Sequence, residues 1–468
     1  MANVLLVEPD YRSKFPPLGL LRLSTYHREL GDAVTFVRGK IPAIRDAGWH
    51  KIYVSSLFTY ELPRTVETIR YYLRSAPSLR DVIVGGIGAT LMPQYIRDRV
   101  DCTVVEGPLE VRDKLFRGSP VIASFIPDYG LLGNTQRKYE PDDTYFCRVT
   151  LGCIRHCRFC AVPVLEPTYR GLRGWRRQVD LVREKYGERQ HLVFLDNNIL
   201  ASEKLDRVVQ TVRDLGFTPG VRRNKRLRRV DFNQGIDARL ITPEVACLLA
   251  TIPLFPVRLA FDYDGMESHY RRAIRYLGEA GFQRFTNYVL FNCHDHPASL
   301  YRRLRINLEL SEQLKVRITG FPMRYIPIQD IHRRHVAEGW HWRYLRGIQC
   351  VLLATHGMVS PNTVFFNAAF GSNYEEFLEI LSMPDGYIIN REEHKNNGAL
   401  EWRSQFRRLT PEARKEFLDT LERVHRSRQR DREIQRCRRF RKLLEHYYPR
   451  VTAESQLLLS SEDDKGAR

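Results

Sequence analysis

The residues best placed to do chemistry are Cys153, Cys157 and Cys160, in the stretch Cys153-Ile-Arg-His-Cys157-Arg-Phe-Cys160. Their spacing lets three thiols close on one face of a tight loop, and thiolates are the soft ligands that hold iron–sulfur clusters. The number three is informative, because a cubane held by three cysteines leaves one iron open to a further ligand. A zinc site with Cys147 or His156 as fourth ligand is an alternative, as is a purely structural cluster. Zinc ligands, however, usually come as separated pairs, and the chain has no second close pair of cysteines.

The elements that must position this loop follow from periodicity. A strand is expected from Thr144 to Leu151, feeding directly into the cysteines. After a helix from Gly174 to Tyr186, a strand from His191 to Leu195 ends in Asp196-Asn197-Asn198. Further strands are expected at Val230 to Gln234, ending in Asn233 and Gln234, and at Val257 to Phe261, ending at Asp262. Two more run from Phe285 to Phe291, ending at Asn292, and from Val316 to Pro322, ending near Arg324. Helices are expected between them, at residues 203–215, Leu240 to Thr251 and Glu267 to Ala280. The second of these carries Thr242-Pro243-Glu244, an N-cap with proline at the first position. Six strand–helix units of this kind fit a partial (β/α)6 TIM-type barrel, in which chemistry gathers at the carboxyl ends of the strands. Asp and Asn at those ends have a second reading as helix caps. No catalytic side chain can be singled out.

Upstream, residues 1–115 alternate strands (Val4 to Val7, Val34 to Val37, Ile52 to Ser56, Val82 to Val84, Thr103 to Val105) with helices (Gly19 to Leu30, Leu62 to Arg74). That order predicts a doubly wound, Rossmann-like parallel sheet. Gly85-Gly86-Ile87-Gly88 at its fourth strand could admit a phosphate or a bulky cofactor, or could simply be a tight turn. Residues 116–143 carry turn signals and read as a linker, 144–335 as the barrel, 336–450 as a mainly helical region and 451–468 as a disordered tail. A long helix, or two, is expected from Pro411 to about Tyr447, opened by Thr410-Pro411-Glu412.

The cysteine pattern, with Phe159 just before the last cysteine, resembles the radical S-adenosylmethionine superfamily. The resemblance implies a [4Fe-4S] cluster on Cys153, Cys157 and Cys160, with S-adenosylmethionine chelated to the open iron. It also implies reductive cleavage to methionine and a 5′-deoxyadenosyl radical that abstracts hydrogen from an unactivated C–H bond. A one-electron donor of the flavodoxin or ferredoxin type would supply the reductant. Phe159, Asp196, Asn197, Asn198, Asn233, Gln234, Asp262 and Asn292 are the expected cofactor-binding positions. The family often has Gly-Gly-Glu where this chain has Asp196-Asn197-Asn198, although amide and carboxylate oxygens still accept from an ammonium group. The first module resembles the cobalamin-binding domain often fused ahead of such barrels, which would permit methyl transfer. The family's Asp-x-His-x-x-Gly motif is absent; Asp10-Tyr11-Arg12-Ser13 stands near its place without a histidine.

Composition narrows the setting. Nine cysteines, three of them clustered, suit a reducing, cytoplasmic compartment rather than a disulfide framework. No apolar run is long enough to span a membrane. A net charge of +19 favours an anionic partner such as nucleic acid. That opens a second reading, tRNA or other nucleic-acid modification, with the basic stretch at 221–229 and the C-terminal arginines gripping the backbone. A third is a non-catalytic iron–sulfur or zinc protein that binds nucleic acid. Arginine on solvated faces accounts for the charge equally well.

Overall fold

The computed structural model describes residues 1–135 and 138–448, so the segment 451–468 expected to be disordered lies outside the described residues. The fold is mixed α/β. Strands β1 (Asn3–Glu8), β2 (Ala33–Arg38), β3 (Lys51–Ser55), β4 (Val82–Gly85) and β5 (Thr103–Val105) form one parallel sheet in the order β2-β1-β3-β4-β5. Alternation along β1 explains its central place. Leu5 and Val7 pack into one core with Ile52, Val54 and Val84, while Val4 and Leu6 pack into another with Leu20, Leu21 and Tyr53. A strand buried on both faces is what a parallel sheet with helices on each side requires. One of those helices, α1 (Leu18–Glu29), directly follows the Pro16-Pro17 turn.

The glycine cluster after β4 is a tight turn. Gly86 has φ of +109°, and a Cβ there would lie 2.6 Å from the Ser56 carbonyl oxygen. A Cβ on Gly88 would lie 2.5 Å from Ser56 Oγ. The Gly88 amide donates to the same Ser56 carbonyl at 2.9 Å. These glycines therefore let β3 and β4 close on each other, and the chain itself fills the space beside them.

The strand expected from Thr144 to Leu151 is broken in two. β6 (Thr144–Cys147) stays in a parallel sheet, whereas β7 (Thr150–Leu151) pairs antiparallel with β8 (Arg170–Gly171). Next comes β9 (His191–Phe194), and then the basic stretch folds as a two-stranded hairpin, β10 (Arg222–Arg223) and β11 (Arg226–Leu227). Asn224 and Lys225 form its turn with positive φ. β12 (Arg229–Phe232) completes a parallel sheet in the order β12-β9-β6. β13 (Val257–Ala260), β14 (Arg284–Phe291) and β15 (Arg317–Arg324) follow, close to the expected positions. The Thr242 cap is present, its hydroxyl accepting from the Val245 amide at 3.2 Å.

The chain divides into two compact units. One comprises Met1–Ala260, Met266–Asn287 and Tyr325–His335, and the other comprises Phe261–Gly265, Tyr288–Arg324 and the chain from Val336 on. In the second unit, Val289, Phe291, Leu300 and Leu304 share a single core with Phe366, Trp402, Phe417 and Leu444. The long helix, or two, expected from Pro411 is three shorter ones: Pro411–Arg426, Arg430–Arg436 and Arg441–Glu445. Cys437 and Gln429, both outside helical geometry, mark the breaks. Among the described residues, no helix is long and apolar enough to cross a membrane.

Replacing Gly86 by alanine is expected to lower unfolding free energy by about 2–4 kcal/mol, from positive-φ strain plus backbone overlap. Gly19→Ala, in α1 with nothing within 4 Å of the new Cβ, is expected to be neutral or stabilising by up to ~1 kcal/mol. Denaturant titration of the two variants checks both signs.

Candidate metal centre

The break between β6 and β7 is made by one carboxylate. Asp196, just past β9 and 2% exposed, accepts from the Val149 amide at 3.0 Å and from both the amide and the hydroxyl of Thr150, the latter at 2.7 Å. These bonds draw the chain off the sheet immediately after Cys147. A second carboxylate, Glu166, then accepts from the Gly152 amide and from Asn197 Nδ2, both at 2.7 Å, and pairs with Arg148 at 2.7 Å. Gly152 is required where it stands: its φ is +75°, and a Cβ would lie 2.6 Å from the Thr168 carbonyl. With β7 and β8 closing its base, the loop carrying the cysteines is fixed at both ends.

Cys153, Cys157 and Cys160 are half-buried and in no disulfide. Nitrogen donors point at sulfur: the Arg155 amide lies 3.4 Å from Cys153 Sγ, the Val162 amide 3.5 Å from Cys160 Sγ, and Asn198 Nδ2 3.7 Å from Cys153 Sγ. These contacts hold two of the sulfurs in fixed positions on the loop. Among the described residues, no three His, Cys, Asp or Glu side chains are arranged to hold a metal ion together. The fit of a cluster rests instead on the donor set, three soft ligands on one anchored loop with amides aimed at two of the sulfurs. Cys147 is a poor fourth ligand, because it is 1% exposed and burial pushes its thiol far up. His156 is exposed.

The polar residues expected at the strand ends divide by role. Asp196 is an internal anchor and Asn197 is bonded to Glu166. Asn198, 3% exposed, reaches both Cys153 Sγ and Asp237 Oδ2 through Nδ2, while its Oδ1 is buried with no hydrogen-bond partner. Asn233 and the exposed Gln234 are bonded to each other at 3.0 Å. Phe159 is half-buried in the cysteine loop. Asp262 and Asn292 belong to the second unit. There Asn292, with φ of +64°, uses its side-chain carbonyl to accept from the Ala337 amide at 2.9 Å.

Two residues that sequence reasoning passed over stand out. Asp237 accepts from Arg155 within the cysteine motif at 3.1 Å, from Asn198, and from Arg239 at 2.6 and 3.0 Å. Burial alone would raise its carboxyl, but Arg239 and Arg155 bring it below the ordinary value. In the second unit the fully buried Arg303 donates to the Phe261 and Leu290 carbonyls at 2.8 and 2.7 Å and pairs with Asp295 at 2.5 Å. It thus joins the chain just before Asp262 to the end of β14. Asp237 was signalled only as an acidic residue a few positions past a strand, and Arg303, inside the helix Pro297–Leu314, carried no signal in the sequence.

The basic features lie elsewhere. The β10–β11 hairpin precedes β12, at the amino ends of strands whose carboxyl ends lead to the cysteine loop. Arg223 pairs with Asp143 and Arg228 with Glu188. Of the C-terminal arginines, Arg426, Arg436, Arg439 and Arg441 pair with Glu422, Glu433, Glu416 and Glu445.

No family model matches the chain, and no curated protein does. Solved structures similar to it include the cobalamin-dependent S-adenosylmethionine radical enzyme OxsB with aqua-cobalamin and S-adenosylmethionine bound, at 12% identity and a TM-score of 0.46 over 100% of this chain and 75% of that one. The aqua-cobalamin form of OxsB is similar at the same identity and TM-score, over 99% and 75%. Streptococcus suis SuiB bound to S-adenosylmethionine follows at 11% identity and a TM-score of 0.31, over 46% and 48%. At such distances the functional reading rests on the residues of this chain.

Burial pushes the Asp196 carboxyl up from 3.8 to about 6, with the Thr150 and Val149 donors opposing. The folded chain therefore holds this proton to higher pH than the unfolded chain does. Its contribution to stability is expected to fall, by roughly 3 kcal/mol, as pH rises from about 4 to 6, and to stay level above. Asp196→Asn should flatten that slope in urea titrations. Asp196→Ala, which strands two buried amides and a hydroxyl, should cost about 3 kcal/mol or more at every pH.

Proposed function

We propose that this chain is a radical S-adenosylmethionine enzyme. In this reading Cys153, Cys157 and Cys160 hold a [4Fe-4S] cluster whose fourth iron binds S-adenosylmethionine, and the reaction begins at an unactivated C–H bond of the substrate. The observation that carries it is the anchored three-cysteine loop, with amides directed at sulfur and no buried fourth thiolate available to close the set. When bound, cluster and S-adenosylmethionine together supply a one-electron reductive cleavage and a hydrogen-abstracting radical.

The protein's share is positioning. Asp196 and Glu166 fix where the loop begins, and Asp237 fixes Arg155 within it. Asn198 serves twice: its amide nitrogen donates to Cys153 Sγ, and its unpartnered Oδ1 is free to accept from an ammonium group such as that of methionine. His156 and Arg158, exposed on the same loop, face solvent where a one-electron donor of the flavodoxin or ferredoxin type would approach.

Cobalamin fits the carboxyl edge of the first sheet only in a form held without histidine. Asp10-Tyr11-Arg12-Ser13 offers no imidazole, and the Tyr11 hydroxyl is bonded inward to Thr65 at 2.6 Å. Exposed Ile87 and Tyr60 at this edge would meet a flat macrocycle by apolar contact. Methyl transfer belongs to the reading on that condition.

Anaerobic reconstitution with iron and sulfide, followed by S-adenosylmethionine and dithionite, is expected to yield 5′-deoxyadenosine. Cys157→Ala should abolish it. A protein that takes up zinc but no cluster would refute the reading. A well-formed cluster with no product would favour a non-catalytic iron–sulfur protein.

A further inference from the structure

Three chain segments far apart in sequence meet at one carboxylate. Asp237 stands shortly past β12, and its backbone is held independently of the cysteine loop. The Ile236 amide donates to the Arg258 carbonyl at 2.9 Å, and a Cβ on Gly235 would lie 3.2 Å from that same oxygen. From this fixed place Asp237 Oδ2 accepts from Arg155 Nε at 3.1 Å and from Asn198 Nδ2 at 3.3 Å, 82 and 39 residues away along the chain. Arg239 reaches Oδ1 through Nε at 2.6 Å and Oδ2 through Nη2 at 3.0 Å. With both arginines in ion-pairing range, the group is a carboxylate.

That charge sets which way the Asn198 amide is turned. The two ends of a carboxamide are alike in shape and opposite in polarity, so only their neighbours distinguish them. Nδ2 carries two protons and has two acceptors in reach, Cys153 Sγ at 3.7 Å and Asp237 Oδ2 at 3.3 Å. The reverse orientation would lose both bonds and set Oδ1 against an ionised oxygen. With Nδ2 committed, Oδ1 is left buried and without a partner, in a residue that is 3% exposed. A carbonyl oxygen in that state is costly until a donor meets it.

We propose that Asp237 is a positioning residue for the amino group of S-adenosylmethionine, holding Asn198 in the one amide orientation that presents Oδ1 as an acceptor. The carboxylate acts only through Asn198 and is itself filled by protein donors. An ammonium group is the donor such an oxygen binds most strongly. The inference rests on the reading of the cysteine loop as a cluster site and adds to it a residue carried by a different strand end.

The test is equilibrium dialysis of S-adenosylmethionine against the full chain, anaerobically reconstituted with iron and sulfide, for wild type, Asp237→Asn, Asn198→Ala and the double variant. Asp237→Asn keeps the size of the side chain and removes the charge, so either end of the Asn198 amide can face it. It is expected to raise the dissociation constant about five- to tenfold in the wild-type background and to change nothing further in the Asn198→Ala background. A merely structural role would weaken binding equally in both backgrounds, and that result would overturn the proposal, as would an unchanged dissociation constant in Asp237→Asn. Should Asp237→Asn hold no cluster, Asp237→Glu takes its place, since it keeps the charge and shifts it by one methylene. Weakening confined to the wild-type background is again the expected result, and an equal effect in both backgrounds, or none in either, overturns the proposal. A wild-type chain that takes up no cluster, or binds no S-adenosylmethionine once it has, refutes the underlying reading as well, and needs no variant to show it.

Discussion

The cysteine loop depends on a carboxylate placed where a carboxylate is costly. Asp196 sits at the end of β9 with almost no exposure, and burial works against its charge. Its compensation is the set of donors it collects from Val149 and Thr150. Those amides would otherwise continue the ladder of β6. By claiming them, Asp196 converts one long strand into two short ones of different sheets and sets where the chain leaves the β12-β9-β6 sheet for the cysteine loop. An apolar residue there would remove the desolvation cost, yet it would leave three buried donors unmatched, which is worse.

The same logic extends outward from that point. Glu166 gathers Gly152, Asn197 and Arg148, and Asp237 gathers Arg155, Asn198 and Arg239. Each carboxylate joins the cysteine loop to a strand end, so the loop's position is specified by three polar nodes rather than by apolar packing. Nodes of this kind are directional. They fix where a donor points, which a hydrophobic contact cannot do, and directionality is what N–H to sulfur bonds require.

Much of this was legible in the sequence, and the limits have a physical cause. Periodicity located the strands to within a residue or two, because burial on both faces imposes apolar runs on Val4–Val7 and Leu192–Phe194 alike. Caps such as Thr242 and Thr410 were readable because their bonds span only three residues. Asp196 was expected at the right place, but a cofactor contact and an internal anchor leave the same trace in sequence. The break after Cys147 arises from a bond between residues 46 or 47 positions apart, and local pattern does not encode such a pairing. Asp237 and Arg303 escaped notice for the same reason. The long helix, or two, expected after Pro411 became three because apolar spacing continues across breaks that only tertiary packing imposes.

The charge of +19 reads differently once the arginines are placed. Arg303 draws Phe261, Leu290 and Asp295 together, Arg343 joins the Leu381 carbonyl to Asp385, and Arg228 joins Glu188 to the Arg189 carbonyl. A guanidinium with five donors in a plane can close several strand or helix ends at once, which lysine cannot do. In this chain arginine is therefore largely a structural crosslink, and surplus charge is a weak sign of a polyanionic partner.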